Sequence, residues 1–149
     1  MNKFLLLLVI LVIGFAAFLF IQARASAKQS SPQLNNGALP GCPDKPNCVS
    51  SAVADTDSHY IDALSAPQLS MEALQQLVES DGGTIVQATD SLLIATYKSA
   101  LFGFIDDLLL LRNNDKLEVR SSSRVGYSDF DANRKRVERL RTAITGANG

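Results

Sequence analysis

The sequence predicts an α+β body behind an apolar N-terminal helix: a four-stranded, mostly antiparallel sheet with two helices packed on one face. Three observations predict it. Residues 4–21 form an uncharged apolar run, two stretches with helical periodicity stand at 70–81 and near the C-terminus, and four strand-like runs lie between them in two hairpins. Hairpins join antiparallel strands through short turns, and helices placed before and after such a set cover one face of the sheet.

The apolar run, FLLLLVILVIGFAAFLFI, has eighteen residues. At about 1.5 Å rise each they make a rod of roughly 27 Å, close to a hydrocarbon core. Ala25-Ser26-Ala27 follows as a cleavage-site pattern, so residues 1–27 read as a signal anchor or as a cleaved signal peptide. Lys3 and the amine before the run nearly balance Arg24 and Lys28 after it, which leaves orientation open on charge alone. The cysteines break that tie. Cys42 and Cys48, the two in the chain, stand in CPDKPNC beyond the run. In an oxidising compartment a pair so close is expected to form a disulfide, and closing this loop removes about 2.4 kcal/mol of unfolded-state entropy. The expected location is therefore the bacterial cell envelope, anchored in the inner membrane with the body in the periplasm, or cleaved and periplasmic. Leu39-Pro40-Gly41-Cys42 imitates a lipoprotein site but lies too far beyond the apolar run to serve as one.

Residues 28–41 (KQSSPQLNNGALPG) are polar and carry proline and glycine, which predicts a flexible tether before a single domain at 42–146. Residues 47–68 predict an irregular stretch. Ser70 then caps a helix whose stripe is Met71, Leu74, Leu77 and Val78, and Gly82-Gly83 ends it. Strands follow at 84–89 and 92–98 about Asp90-Ser91, with Gly103 as a bend. The second hairpin, 105–112 and 116–121, is expected to turn on Asn113-Asn114, a pair that tolerates positive φ. That turn sets Arg112 against Asp115, Leu110 against Leu117, Leu108 against Val119, Asp107 against Arg120 and Asp106 against Ser121; a slip by one would instead pair Asp107 with Ser121. The four apolar residues share a face. Ser128, with Asp131 three residues on, is expected to cap the last helix, whose stripe is Val137, Leu140 and Ile144 and whose end is Gly146.

Charge divides the chain. Residues 40–111 hold ten acidic and two basic side chains, whereas residues 112–149 hold nine basic and five acidic. This asymmetry predicts either internal pairing of the halves or an anionic partner on one face. Metal chemistry is not expected, because two cysteines and one histidine, His59, cannot fill a four-ligand thiolate site. Their spacing is too wide for a CxxC redox pair. No cofactor is implied. An exported body without an aromatic stacking platform also argues against nucleic acid.

The densest polar segment is 120–136, RSSSRVGYSDFDANRKR. Taken with Cys42-Pro43, Pro46-Asn47-Cys48-Val49-Ser50-Ser51, Phe104-Ile105-Asp106-Asp107 and Asn133-Arg134, it resembles the domain-of-unknown-function family 1499, from about Cys42 to Arg141. The resemblance implies one domain behind a signal or anchor segment in bacterial envelope proteins, with no reaction, cofactor or partner attached. Asp131 departs from the pattern, standing where glycine is expected.

Asp106, Asp107, Arg120, Ser121, Ser123, Arg124, Tyr127, Asn133 and Arg134 are the candidate site residues. Arg120, Arg124 and Arg134 can fork onto a phosphate or carboxylate, with hydroxyls and amides adding donors. The same residues can instead lock the strand-to-helix connection. Neighbouring strand residues face opposite ways, so Asp106 and Asp107 are not expected to share a proton. Ser121, Ser122 and Ser123 lack a nucleophile elbow or S-x-x-K motif, and His59 is the one candidate base. The basic run Arg134-Lys135-Arg136 with Arg139 and Arg141 can meet anionic headgroups or form a solvated helix face. The expected function is thus a non-enzymatic, membrane-tethered module that binds an anionic small molecule, lipid headgroup or protein partner. The alternatives are a small-molecule hydrolase or related enzyme built on Asp106, Asp107, Arg120 and Ser121, and a structural scaffold. Convergence of those four side chains in a pocket marks the enzyme, an open arginine cluster marks anion binding, and full internal pairing marks the scaffold.

Overall fold

A 25-residue helix, α1 (Lys3–Ala27), carries the apolar run with its side chains exposed until the last turn, where Ala23 and Ser26 are buried. The structure, a computed structural model, describes residues 2–66, 69–114 and 116–147. Beyond α1 come β1 (Cys48–Ser50), β2 (Leu64–Ser65), α2 (Met71–Ser80), β3 (Thr84–Ala88), β4 (Leu92–Lys98), β5 (Ile105–Asn113), β6 (Lys116–Ser123) and α3 (Ala132–Ala147). The strands form one antiparallel sheet in the order β1-β6-β5-β4-β3, with β2 also paired to β6. The α+β class stands, with six strands rather than four and three helices counting α1. The two extra strands come from the stretch read as irregular. At three and two residues they are too short to show a period, and they exist because β6 offers a free edge along Lys116–Ser123: Val49 pairs Ser121, and Leu64 pairs Leu117.

Both carboxyl-side helices cover one face. Met71, Leu74 and Val78 of α2 and Val137, Leu140 and Ile144 of α3 join Leu93, Ala95, Leu108, Leu110, Leu117 and Val119 in a single core. Ser70 caps α2 as its sequence predicts, its Oγ accepting from the Ala73 amide at 3.2 Å. Gly82 leaves the helix at φ +92, and a Cβ on Gly83 would lie 2.6 Å from Val78 Cγ1, so the exit needs both glycines. The opposite face holds a smaller cluster of Leu92, Ile94 and Leu109, covered by Leu39 and Leu34. Within residues 28–41, predicted as a flexible tether, those two leucines close the back of the sheet.

The β5–β6 register differs from expectation by two residues. Arg112 pairs Leu117, Leu110 pairs Val119, Leu108 pairs Ser121, Asp107 pairs Ser122 and Asp106 pairs Ser123. The cause is the turn: β5 runs through Asn113, which pairs Lys116, and Asn114 takes φ +54. The expected partner of Arg112, Asp115, lies outside the described residues. A shift of two keeps every side chain on its face, so the apolar set Leu108, Leu110, Leu117 and Val119 still shares the core.

The last helix begins later than Ser128. Phe130 and Asp131 hold φ of +54 and +63, which no right-handed helix admits, so α3 opens at Ala132. The cap is supplied by Asp129, whose Oδ2 accepts from the Asn133 amide at 2.8 Å. Ser128 Oγ accepts only from Phe130, at 3.3 Å, among the described residues. The left-handed φ at Asp131 gives a physical reason for glycine at that position. Gly146 lies within α3, which continues to Ala147.

Candidate functional site

Strand alternation divides the polar segment into two networks on opposite faces of the sheet. On the helix-covered face, Asp106 projects beside Leu108 and accepts from Arg136 Nη2 at 2.7 Å. Arg136 Nη1 also donates to Ser121 Oγ at 2.9 Å and to Asn133 Oδ1. Asn133 is the hub. Its Oδ1 accepts from Ser121 Oγ at 2.7 Å, and its Nδ2 donates to Asn47 O and Ser123 Oγ at 3.1 Å each and to Asp129 Oδ2 at 2.7 Å. Asn47 Nδ2 in turn donates to Gly126 O at 3.1 Å. The network therefore ties β1, β6, the connection after β6 and α3 together. Arg136 also stacks over Tyr97, its guanidinium carbon 4.3 Å from the ring centroid, which adds cation–π attraction in a dry setting. Burial first, then the charge of Asp81, pushes the Tyr97 hydroxyl well above its ordinary pKa, so it stays protonated.

On the other face Arg124 forks onto Asp107, with Nε to Oδ2 and Nη2 to Oδ1 both 2.8 Å. The guanidinium makes further hydrogen bonds. Nη1 donates to Ser26 O at 3.2 Å and to Gln29 O, and Nη2 donates to Ser31 Oγ at 3.0 Å. Ser26 O and Gln29 O belong to the end of α1 and the residues just after it, where helix carbonyls lack partners and a cation opposes the negative dipole end. Ser26 completes the joint: its Oγ donates to Ala23 O at 2.7 Å and accepts from the Ile105 amide, the first of β5, at 3.1 Å. One arginine thus fastens the apolar helix to the sheet. Arg120 lies nearby, buried, with Nη1 on Ser122 Oγ at 2.6 Å and Nη2 on Gly41 O at 3.3 Å. Burial lowers its pKa, and the charge of Asp107 opposes that shift. Gly41 adjoins the disulfide between Cys42 and Cys48, whose Cα atoms are 5.7 Å apart, so the bridge and Arg120 hold the same segment against β6.

The candidate residues are thereby placed. Asp106, Ser121, Ser123 and Asn133 meet on the helix face. Asp107, Arg120 and Arg124 meet on the back. The enzyme set Asp106, Asp107, Arg120 and Ser121 does not converge, because the sheet itself lies between its two halves. Arg134 stands apart, donating to Tyr60 O at 2.9 Å and Ser58 O at 3.2 Å. Tyr127 is 69% exposed and joins neither network. The basic run of α3 is largely spent inside the fold: Arg139 forks onto Asp81 at 2.7 and 3.0 Å, and Arg141 donates to Ala63 O and Asp62 O at 2.9 and 2.7 Å. Three cations of the basic third, Arg124, Arg136 and Arg139, pair with carboxylates of the acidic stretch.

Sequence reasoning missed Arg136, Ser26, Ser31 and Asn47. Arg136 had a signal: it falls three residues after Asn133 and four before Leu140, on the buried stripe of α3. Ser26 and Ser31 had none, since their roles depend on a partner nearly a hundred residues away.

The described residues contain no group of three or more His, Cys, Asp or Glu side chains able to hold a metal ion. No curated protein and no solved structure matches the chain. Residues 38–144 match the family described as protein of unknown function (DUF1499), and the chain belongs to that family.

Proposed function

We propose that this protein is a non-catalytic module of the bacterial envelope, a single domain (42–146) fixed to the inner membrane by an uncleaved α1 and facing the periplasm. The observation that carries this reading is the use of Arg124: its donors go to Asp107, Ser26, Gln29 and Ser31. A ligand at this arginine would have to displace a two-point ion pair and three further acceptors, which argues for a mechanical rather than a binding role. Exchanging bound partners is the business of exposed surface; the Arg-Ser segment is the frame that presents it.

The lock also supports retention of α1. Cleavage after Ala27 would remove Ser26, and with it one acceptor of Arg124 and the acceptor for the Ile105 amide. The disulfide supports an oxidising compartment. The test is amide hydrogen exchange on the full chain in nanodiscs, with N-terminal sequencing of the same preparation. The expected result is an intact α1 and slow exchange at Ile105, accelerated at least tenfold by Arg124→Ala. A mature chain beginning at Lys28, or fast exchange at Ile105 in the unaltered protein, would remove the reading.

A further inference from the structure

The joint between α1 and the sheet leaves a groove of about 390 Å³ lined by Phe20, Ala23, Arg24, Ala27, Lys98, Phe102, Gly103 and Ile105. One wall is a helical stripe at spacings of three and four residues. The other is the loop between β4 and β5, residues 99–104, which folds back through Gly103 at φ +78. A Cβ there would meet Lys98 Cε at 3.1 Å, so the glycine lets Lys98 lie along the groove. Phe102 and Phe104 brace this loop edge to face, 6.2 Å between centroids. At its apex Leu101 is 82% exposed.

Depth along α1 says what this groove faces. The apolar run ends at Ile21, and Arg24 follows after roughly 4.5 Å of helix, within the headgroup layer that flanks a hydrocarbon core. Phe20 lies at the edge of that core. The groove therefore has apolar walls on its membrane side and two cations, Arg24 and Lys98, at headgroup depth. No carboxylate lines it. Arg24 rests over Phe20 at 5.0 Å, and neither cation has a hydrogen bond or ion pair among the described residues. The other arginines of this protein are consumed within the fold; Arg24 is held out on α1, beside Lys98.

We propose that this groove seats an anionic phospholipid of the membrane that α1 crosses. Its phosphate lies between Arg24 and Lys98, its acyl chain runs down Phe20 and Phe102, and Leu101 dips into the acyl boundary beside it. Apolar side chains at the water–lipid boundary partition inward while cations stay with the headgroups. Continuity with the spanning helix fixes the occupant as a lipid of the same leaflet. The proposal rests on the retained, locked α1 of the preceding reading, because without α1 the groove loses one wall.

The chain contains no tryptophan, so Leu101→Trp is a single optical reporter. The full chain carrying it is placed in vesicles of phosphatidylcholine with a quarter phosphatidylglycerol, with bromine on the acyl chains of one lipid or the other. The expected result is blue-shifted emission quenched by both, with brominated phosphatidylglycerol quenching as if enriched at least fivefold over its mole fraction. Arg24→Ala with Lys98→Ala, at exposed positions, should return the enrichment to unity while leaving quenching by phosphatidylcholine in place. Water-like, unquenched emission overturns the proposal by removing the loop from the membrane. Equal quenching by the two lipids overturns it by removing the headgroup site. Amide exchange at Ile105, measured on the same samples, separates these outcomes from a failed lock: slow exchange with no lipid preference defeats the groove alone, and fast exchange defeats the reading beneath it.

Discussion

Arg124 and Asp107 are joined by two parallel hydrogen bonds of 2.8 Å, with side chains 9% and 1% exposed. A pair this deep is costly to break, because removing one member leaves the other charged and dry. Arg124→Ala is expected to destabilise the protein by about 3–5 kcal/mol, read as a lower midpoint in chemical denaturation of the full chain in detergent. Replacing both partners by apolar residues, Arg124→Met with Asp107→Leu, should recover most of that loss. A single variant as stable as the unaltered protein would show that the pair holds nothing.

His59 predicts a pH dependence. Its Nδ1 meets Asp57 Oδ1 at 2.7 Å and its Nε2 meets Lys45 O at 3.0 Å. Both partners accept, so only the imidazolium, which donates from both nitrogens, satisfies them together. The Asp57 hydrogen bond raises the pKa of His59, partly opposed by burial, and the Lys45 carbonyl raises it further. A raised folded value means the stabilisation is complete below the unfolded value of about 6.5 and is lost as pH rises through the folded one. Asp57 is shifted down, chiefly by the His59 amide, so its share is lost as pH falls through its own lowered value. The loop of residues 45–59 should be best held in mildly acidic solution. An NMR titration of His59 with a midpoint at or below 6.5 would contradict this.

The φ of +63 at Asp131 predicts a response to side-chain shape. Asp131→Gly should stabilise by about 0.5–1 kcal/mol, since glycine adopts this conformation without the steric cost borne by other residues. Asp131→Val should destabilise by more, because a β-branched side chain is the worst fit to a left-handed backbone. Thermal unfolding of the two variants gives opposite signs if the backbone is as described, and equal signs if it is not.

The disulfide predicts a measurable loss. Cys42→Ser with Cys48→Ser should cost about 2.4 kcal/mol by loop-closure entropy. It should also speed amide exchange in β1 of Val49 and Ser50, which the bridge helps hold on β6. Mass spectrometry of the protein purified from its host should find it two hydrogens lighter than the dithiol. Free thiols in that material would withdraw the prediction.

The parts of the fold that were legible in the sequence are those written in a period. Met71, Leu74 and Val78, or Val137, Leu140 and Ile144, announce their stripes, and the leucines of β5 announce their face. Register is different in kind. Moving the β5–β6 pairing by two residues keeps every side chain on its face, so the alternation cannot choose; the turn chooses, through Asn114. Strands as short as β2 carry no period at all. Ser128 with Asp131 resembles a capping box, yet two left-handed residues between Asp129 and α3 pass the cap to Asp129. At the candidate site the residue types were legible and their partners were not. Arg124 showed that it could bind an anion, and nothing local showed that the anion was Asp107.

The Arg124–Ser26 contact spans 98 positions, and that distance orders events in time. A polypeptide is made from its amino end, so α1 is complete long before the ribosome reaches the residue that will fasten it. Until β6 has paired and the following loop has closed, helix and body are free to turn about the linking segment. The attitude of α1 relative to the body is consequently the last thing this molecule acquires, a latch that clicks only on a finished sheet.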